Sequence, residues 1–283
     1  MIWFGILCVA AVHASILPED EIIVNSRIVT GFKVSISQYP WQVVLARKGY
    51  EGTFCGGSIV ADDAVMTAAH CFADPITGAL DMAKLMTTEV ISGTDDLNNE
   101  KGNRTGLIEV QQPGGADAYN PKAGASINDI LILKTRGKMA GQKIQMPLGN
   151  DYTGVVGYAS GFGHTSFRGK QSQHLMAATV KIQPDVVCQL YYGPQHRSDK
   201  TICASAFAGK GLCHGDSGGP LIVYEEDGTR SLAGIASAVH VSGCGSGIPD
   251  LYTRVAGMRP FILKSLFNYG DEQVIVTHVP SVY

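Results

Sequence analysis

Gly215-Asp216-Ser217-Gly218-Gly219-Pro220 is the most chemically suggestive stretch of the chain, and the remainder is read outward from it. A serine hydroxyl is a poor nucleophile at its own pKa. Catalysis through it requires a base within hydrogen-bond reach, a group that orients the base, and N–H donors aimed at the oxyanion that develops. Glycines on both sides let the backbone approach a substrate and take conformations closed to other residues. Alone, the hexapeptide reads as a glycine-rich turn. Upstream, however, Thr67-Ala68-Ala69-His70-Cys71 supplies a histidine beside a cysteine. Asn128-Asp129-Ile130-Leu131-Ile132-Leu133 supplies a carboxylate entering a strongly apolar strand.

Around these motifs the composition is turn-rich and sparing in charge. Glycine supplies 34 of 283 residues and charged residues 17%, against a usual ~25% charged, which suits many short strands joined by tight turns. A net charge of −3 offers no basic excess for nucleic acid, and 45% hydrophobic residues exclude a disordered chain. Short β-rich runs bounded by Gly, Pro, Asn and Asp clusters fall at 41–46, 57–60, 64–67, 130–134, 155–160, 177–182, 220–224 and 231–237. That spacing predicts an antiparallel barrel or sandwich. An amphipathic helix is predicted over Ala256–Phe267, where Met258, Phe261, Ile262, Ser265 and Leu266 fall close to one face. Asp271–Tyr283 carries no element that the pattern identifies.

Residues 1–14 form an apolar run ending in Val12-His13-Ala14, the small-x-small spacing of a secretory signal. The run is shorter than the ~20 apolar residues of a membrane span, and no other window comes close. Removing it takes Cys8 away and leaves Cys55, Cys71, Cys188, Cys203, Cys213 and Cys244. An even count in an oxidising compartment implies three disulfides, whose pairing the count leaves open. No Cys-x-x-Cys pair suggests a metal centre.

TAAHC, NDI with its Leu-Ile-Leu continuation, and GDSGGP, in that order, make the chain resemble the trypsin/chymotrypsin family of serine endopeptidases. Cys55-Gly56-Gly57-Ser58, Trp41-Gln42 and Ser237–Val255 extend the likeness over roughly residues 27–267. The resemblance implies an all-β fold of two six-stranded antiparallel Greek-key barrels, at 28–145 and 146–255, with the active site in the cleft between them. A short C-terminal helix, 256–267, and a tail, 268–283, follow. It implies peptide hydrolysis through an acyl-enzyme, with no cofactor and no metal. His70 would be general base and then general acid, Asp129 would hold its imidazole in the right tautomer, and Ser217 would attack the carbonyl. The N–H groups of Gly215 and Ser217 would form the oxyanion hole. The family's disulfides would pair Cys55 with Cys71, Cys188 with Cys203 and Cys213 with Cys244. Arg27-Ile28-Val29-Thr30-Gly31 resembles the activation site, making 15–27 a propeptide and freeing the Ile28 amine to pair with Asp216.

Specificity is read from the pocket that the resemblance defines. Its floor residue is Gly211, where trypsin-like members carry aspartate, while Asp250 places a carboxylate on a later wall. This combination resembles the brachyurin group of arthropod digestive proteases, which have broad, chymotrypsin-like specificity. Val239 sits where a glycine keeps the mouth open, an elastase-like feature, and Ala238 and Phe162 replace common aromatics. Asn103-Arg104-Thr105 is an N-glycosylation sequon. The acidic stretch 94–101 lacks a clear calcium-ligand spacing and reads as a solvated loop. The expected protein is a secreted, extracellular monomer, acting in a digestive lumen. Its partners would be protein or peptide substrates, an activating trypsin-like protease and protein protease inhibitors, with neither nucleic acid nor membrane. The competing class is a non-catalytic protease homologue acting as a binding module; such proteins usually lose a triad member, and this chain keeps all three.

Overall fold

The computed structural model describes residues 31–50, 52–99, 102–122, 127–206 and 211–281. The expected signal (1–14) and propeptide (15–27), with the expected activation residues Arg27 and Ile28, lie outside these residues. In chain order the strands are β1 Phe32–Lys33, β2 Gln42–Arg47, β3 Thr53–Ala61, β4 Ala64–Thr67, β5 Thr88–Ser92, β6 Asn103–Pro113 and β7 Leu131–Thr135. There follow β8 Val156–Gly161, β9 Met176–Ile182, β10 Thr201–Ala206, β11 Pro220–Tyr224, β12 Arg230–Ala238, β13 Asp250–Arg254 and β14 Val274–His278.

Two closed six-stranded antiparallel barrels result, as expected. The first runs β6-β5-β2-β3-β4-β7 and closes through β6–β7; the second runs β9-β10-β13-β12-β11-β8 and closes through β9–β8. The sequence of β2 shows why they pack together. Alternate residues of a strand face opposite sides, and here both sides are apolar. Val43 and Leu45 enter the first barrel's core. Val44 and Ala46 join Ile91 in a layer against Phe162, Leu175 and Ala177 of the second barrel. Ser160 Oγ reinforces this layer by donating to Gln42 Oε1 at 2.7 Å.

The remaining two strands exchange partners across the barrels. β1 precedes the first barrel yet pairs with β9 of the second, Phe32 opposite Ala177. β14 follows the second barrel yet pairs with β6 of the first, from Val274 opposite Pro113 to His278 opposite Glu109. The tail, to which the sequence assigned no element, is therefore a strand over Val274–His278. Its sequence lacks a two-residue alternation because Ile275 and Val276 are both about half exposed. The strand is held by the edge that β6 leaves open beyond β5, whose pairing stops at Gly106. Just past it, Val279 is buried in the first core, and its N–H donates to Ile108 O at 2.8 Å.

The predicted helix begins with a 3₁₀ turn, Ala256–Met258, and continues as an α-helix, Arg259–Phe267. Pro260 falls in its first turn, where a missing N–H breaks no intrahelical bond. Asn268 ends it in the left-handed region, φ 52°. Met258, Phe261 and Ile262 bury against the first barrel's core.

Candidate active site

Asn128 takes φ 55°, a left-handed conformation that asparagine tolerates better than most residues, and so turns Asp129 inward just before β7. Asp129 is wholly buried. Its Oδ1 accepts the His70 backbone N–H at 2.8 Å, and its Oδ2 lies 2.7 Å from His70 Nδ1. From the second barrel, Ser237 Oγ donates to Oδ2 at 2.5 Å, and Thr253 Oγ1 donates to the Asp129 carbonyl at 2.8 Å. One carboxylate thus fixes the backbone and ring of His70 and is itself fixed from the other barrel.

His70 sits in a one-turn 3₁₀ segment, Ala69–Cys71, anchored by the Cys55–Cys71 disulfide. Its side chain is 28% exposed. Burial alone would lower the imidazole pKa. The charge and hydrogen bond of Asp129 outweigh that and carry it above its ordinary value, while Lys84 pulls it down.

Ser217 is brought to the first barrel by close backbone contact. Gly56 N–H donates to Ser217 O, and Gly218 N–H to Ala236 O, both at 2.7 Å. Gly218 has φ +78°, and a Cβ there would clash with Thr67 Oγ1 and sit 2.6 Å from Gly56 O. Only glycine lets the serine loop cross at this spacing. Among the described residues, neither Gly215 nor Ser217 donates its N–H to a protein acceptor, and Ser217 Oγ makes no hydrogen bond. Both N–H groups lie in the loop that carries the hydroxyl.

Asp216 accepts from Gly163 N–H at 2.8 Å and Cys213 N–H at 3.0 Å. Burial of its carboxylate raises the pKa to about 6, against the lowering effect of those two bonds. No cation faces it among the described residues.

Beside Ser217 opens a pocket of about 250 Å³, bordered by Leu212, His214, Ser217, Ala236, Ala238 and Val239 among others. Gly211 and Asp250 do not border it directly; they stand behind Leu212. Asp250 Oδ2 accepts Leu212 N–H at 2.7 Å. Gly211, at φ +148°, leaves room for that carboxylate, since a Cβ would lie 2.5 Å from Oδ2. Burial pushes the Asp250 pKa to about 8, opposed by the Leu212 bond and aided by Asp216. Ala238 packs on Cys188, Tyr192, Cys203 and Leu251.

The three disulfides pair Cys55–Cys71, Cys188–Cys203 and Cys213–Cys244, the pairing implied by the resemblance. The two clusters of metal-ligating residue types among the described residues, Cys55-His70-Cys71 and Asp185-Cys188-His196, each draw on these bonded cysteines. Asn103 opens β6 exposed, its amide donating to Lys138 O at 3.1 Å. In the acidic stretch, Asp95 Oδ2 caps Ile36 N–H at 2.9 Å and Asp96 Oδ1 accepts Asn98 N–H at 3.0 Å. Ser237, Thr253 and Lys84 were not singled out from the sequence for the roles they take here. Each acts through a contact made by distant parts of the chain, and no local pattern marks it.

A serine whose loop bonds to the first barrel, together with a histidine held by a buried aspartate, marks a serine endopeptidase, a hydrolase of peptide bonds. Residues 28–262 match the family model described as Trypsin, and the chain belongs to that family. Trypsin delta of Drosophila melanogaster is 32% identical over 264 residues, covering 90% of this chain and 92% of that one. The CLIP domain-containing serine protease HP8 of Bombyx mori is 27% identical over 272 residues, covering 89% and 73%. Among solved structures, neuropsin, a serine protease expressed in the limbic system of mouse brain, aligns with a TM-score of 0.69 and 26% identity. That alignment covers 83% of this chain and 98% of neuropsin. Among the described residues, no helix is long and apolar enough to cross a membrane.

Proposed function

We propose that the chain is made as a secreted zymogen and cleaves proteins through Ser217, His70 and Asp129. The observation that carries this reading is the Asp129 carboxylate, which binds His70 at both N–H and Nδ1. Held so, the ring keeps its proton on Nδ1 and presents Nε2 as a base. Ser217 Oγ gives its proton to Nε2 as it bonds to the scissile carbonyl carbon, and the carbonyl electron pair moves to oxygen. Gly215 and Ser217 N–H receive that oxyanion. The imidazolium then protonates the departing amine as the C–N bond breaks, leaving an acyl-enzyme. Water, deprotonated by His70, releases the acid and restores the serine. The Oγ to Nε2 hydrogen bond forms as substrate binds, as such catalytic bonds often do.

Activation is assigned to cleavage after Arg27. A half-buried Asp216 without a cationic neighbour among the described residues suits the freed Ile28 amine as its partner. The chain then divides into a signal at 1–14, a propeptide at 15–27, barrels at 28–145 and 146–255, the helix and the tail. Specificity is broad and brachyurin-like. An apolar pocket wall of Leu212, Ala238 and Val239 suits aliphatic side chains, and the Asp250 carboxylate behind Leu212 suits a basic one. Titration of activated protein with a serine-directed fluorophosphonate tests the core of this reading. One equivalent should label Ser217 and abolish activity, and Ser217→Ala should take up none. Unlabelled, inactive protein would instead make the chain a binding module.

A further inference from the structure

Away from Ser217, where the segment leading into β2 meets β8, β11 and β12, lies a cavity of about 350 Å³ bordered by Gln38, Tyr39, Trp41, Tyr158, Tyr224 and Arg230 among others. None of the residues assigned to catalysis or specificity borders it, and no aspartate or glutamate does. The Arg230 guanidinium carbon stands 4.6 Å from the Trp41 ring centroid. Its Nη1 donates to Gln38 O at 2.7 Å. Among the described residues Arg230 joins no ion pair, unlike Arg104, Arg197 and Arg254.

The surrounding indole and tyrosine polar groups make no hydrogen bond to protein among the described residues. Trp41 is 3% exposed and its Nε1 is buried with no hydrogen-bond partner. The hydroxyls of Tyr39, Tyr158 and Tyr224 take part in no hydrogen bond among the described residues, in contrast to those of Tyr152 and Tyr192. Burial raises the Tyr39 pKa to about 12; Tyr224 and Tyr158 add to the rise and Arg230 opposes it, which places all four groups around one space. Tyr39 packs on Trp41, and Tyr158 on Tyr224, each edge-on with centroids 5.9 Å apart. A cation stacked on an indole explains the packing of Arg230. It leaves unexplained why the indole N–H is buried without an acceptor, which costs free energy, beside three tyrosine hydroxyls that bond to no protein group.

We propose that this cavity is an oxyanion site, taking a sulfate or carboxylate group on the unused edge of the Arg230 guanidinium and on the surrounding N–H and O–H donors. The planar fork of an arginine matches such groups in a bidentate way. Tyrosine rings, apolar in body and polar at the tip, extend the site to an anion carried on a sugar ring as well as to a free ion.

Trp3 and Trp41 are the chain's two tryptophans, so a full chain carrying Trp3→Phe reports on this cavity through Trp41 emission. It is titrated with sodium sulfate at constant ionic strength, then with glucose 6-sulfate and with glucose. Sulfate should give a saturable change that chloride does not, and Arg230→Gln should weaken it at least tenfold without altering hydrolysis of a small peptide substrate by the chain after trypsin treatment. If glucose 6-sulfate binds at least threefold tighter than sulfate, the site reads an anion on a ring; equal affinities identify the free anion. Tyr224 is about half exposed, so Tyr224→Phe keeps the fold if Arg230→Gln does not, and should weaken sulfate about threefold. A non-saturable response, an equal response to chloride, or affinity unchanged in either folded variant overturns the proposal.

Discussion

Asp250→Asn separates the charge of the carboxylate behind Leu212 from its shape. Alanine would also strip the Leu212 N–H of its acceptor, at a cost of ~1–3 kcal/mol for a buried donor, whereas the asparagine amide oxygen can replace Oδ2 in that bond. On the proposed specificity, cleavage after Arg or Lys needs Asp250 ionised. With its pKa raised to about 8 by burial, about a tenth of the enzyme meets that condition at pH 7. The ratio of kcat/KM for matched Arg and Leu peptides should therefore rise about tenfold from pH 7 to a plateau above about pH 9. His70 affects both substrates alike and drops out of the ratio. At the plateau, loss of a buried charge-assisted contact of ~2–5 kcal/mol lowers the ratio by about 30-fold to several thousand-fold in Asp250→Asn, with Leu cleavage preserved. The variant's ratio should also be flat with pH. Thermal melting gives a second reading. A carboxyl with a folded pKa of about 8 and an ordinary value of 3.8 lends stability that is complete below the ordinary value. That stability is lost as pH rises through about 8. Wild type should thus lose ground to Asp250→Asn between pH 5 and 9. An Arg-to-Leu ratio that neither responds to pH nor changes in the variant would refute the assignment, and the narrower, elastase-like pocket set by Val239 would replace it.

Three further outcomes are expected. Arg27→Gln should fold with an unchanged melting temperature yet remain nearly inactive when treated with trypsin, because Asp216 lacks its amine; full activity in the uncleaved chain would contradict the activation scheme. Acylation should fall as pH drops, with a midpoint at or above the ordinary histidine value of ~6.5, since His70 must be neutral to act and Asp129 raises its pKa. Stopped-flow acylation rates flat from pH 5 to 8, or undiminished turnover in His70→Ala, would contradict that role. Truncation after Gly270 removes β14 and the buried Val279, worth about 2–4 kcal/mol, and should lower the melting temperature by roughly 5–15 °C in calorimetry; no change would mean the strand is not held in solution.

What could be read from the sequence followed from how local each signal was. Eight strands announced themselves because β2, β7 and their like are apolar on both faces or bounded by clear turns. β6 escaped because its run, NRTGLIEVQQP, is mostly polar, and it serves three neighbours in succession along its length. β10, TICASA, is built of small residues that fill a crowded wall without a hydrophobic run. The His70, Asp129 and Ser217 motifs were visible since each carries its own flanking pattern, whereas Ser237 and Thr253 matter only through the partner that folding brings to them. Asp250 was expected on the pocket wall, whereas the structure holds it behind Leu212 through a backbone bond that no spacing encodes.

The exchanged end strands bear on how the molecule survives among proteases. A nick in the connection between β7 and β8 would leave two pieces of roughly equal size. Each would still hold a strand belonging to the other: two paired residues of β1 on β9 and five of β14 on β6. The pieces would be buttoned at both ends, so the cut chain should migrate as one body under native conditions and separate only in denaturant. The same fastening ties the two walls of the catalytic cleft together from outside. A tag or fusion that displaces the last ten residues would loosen the cleft without touching any residue in it.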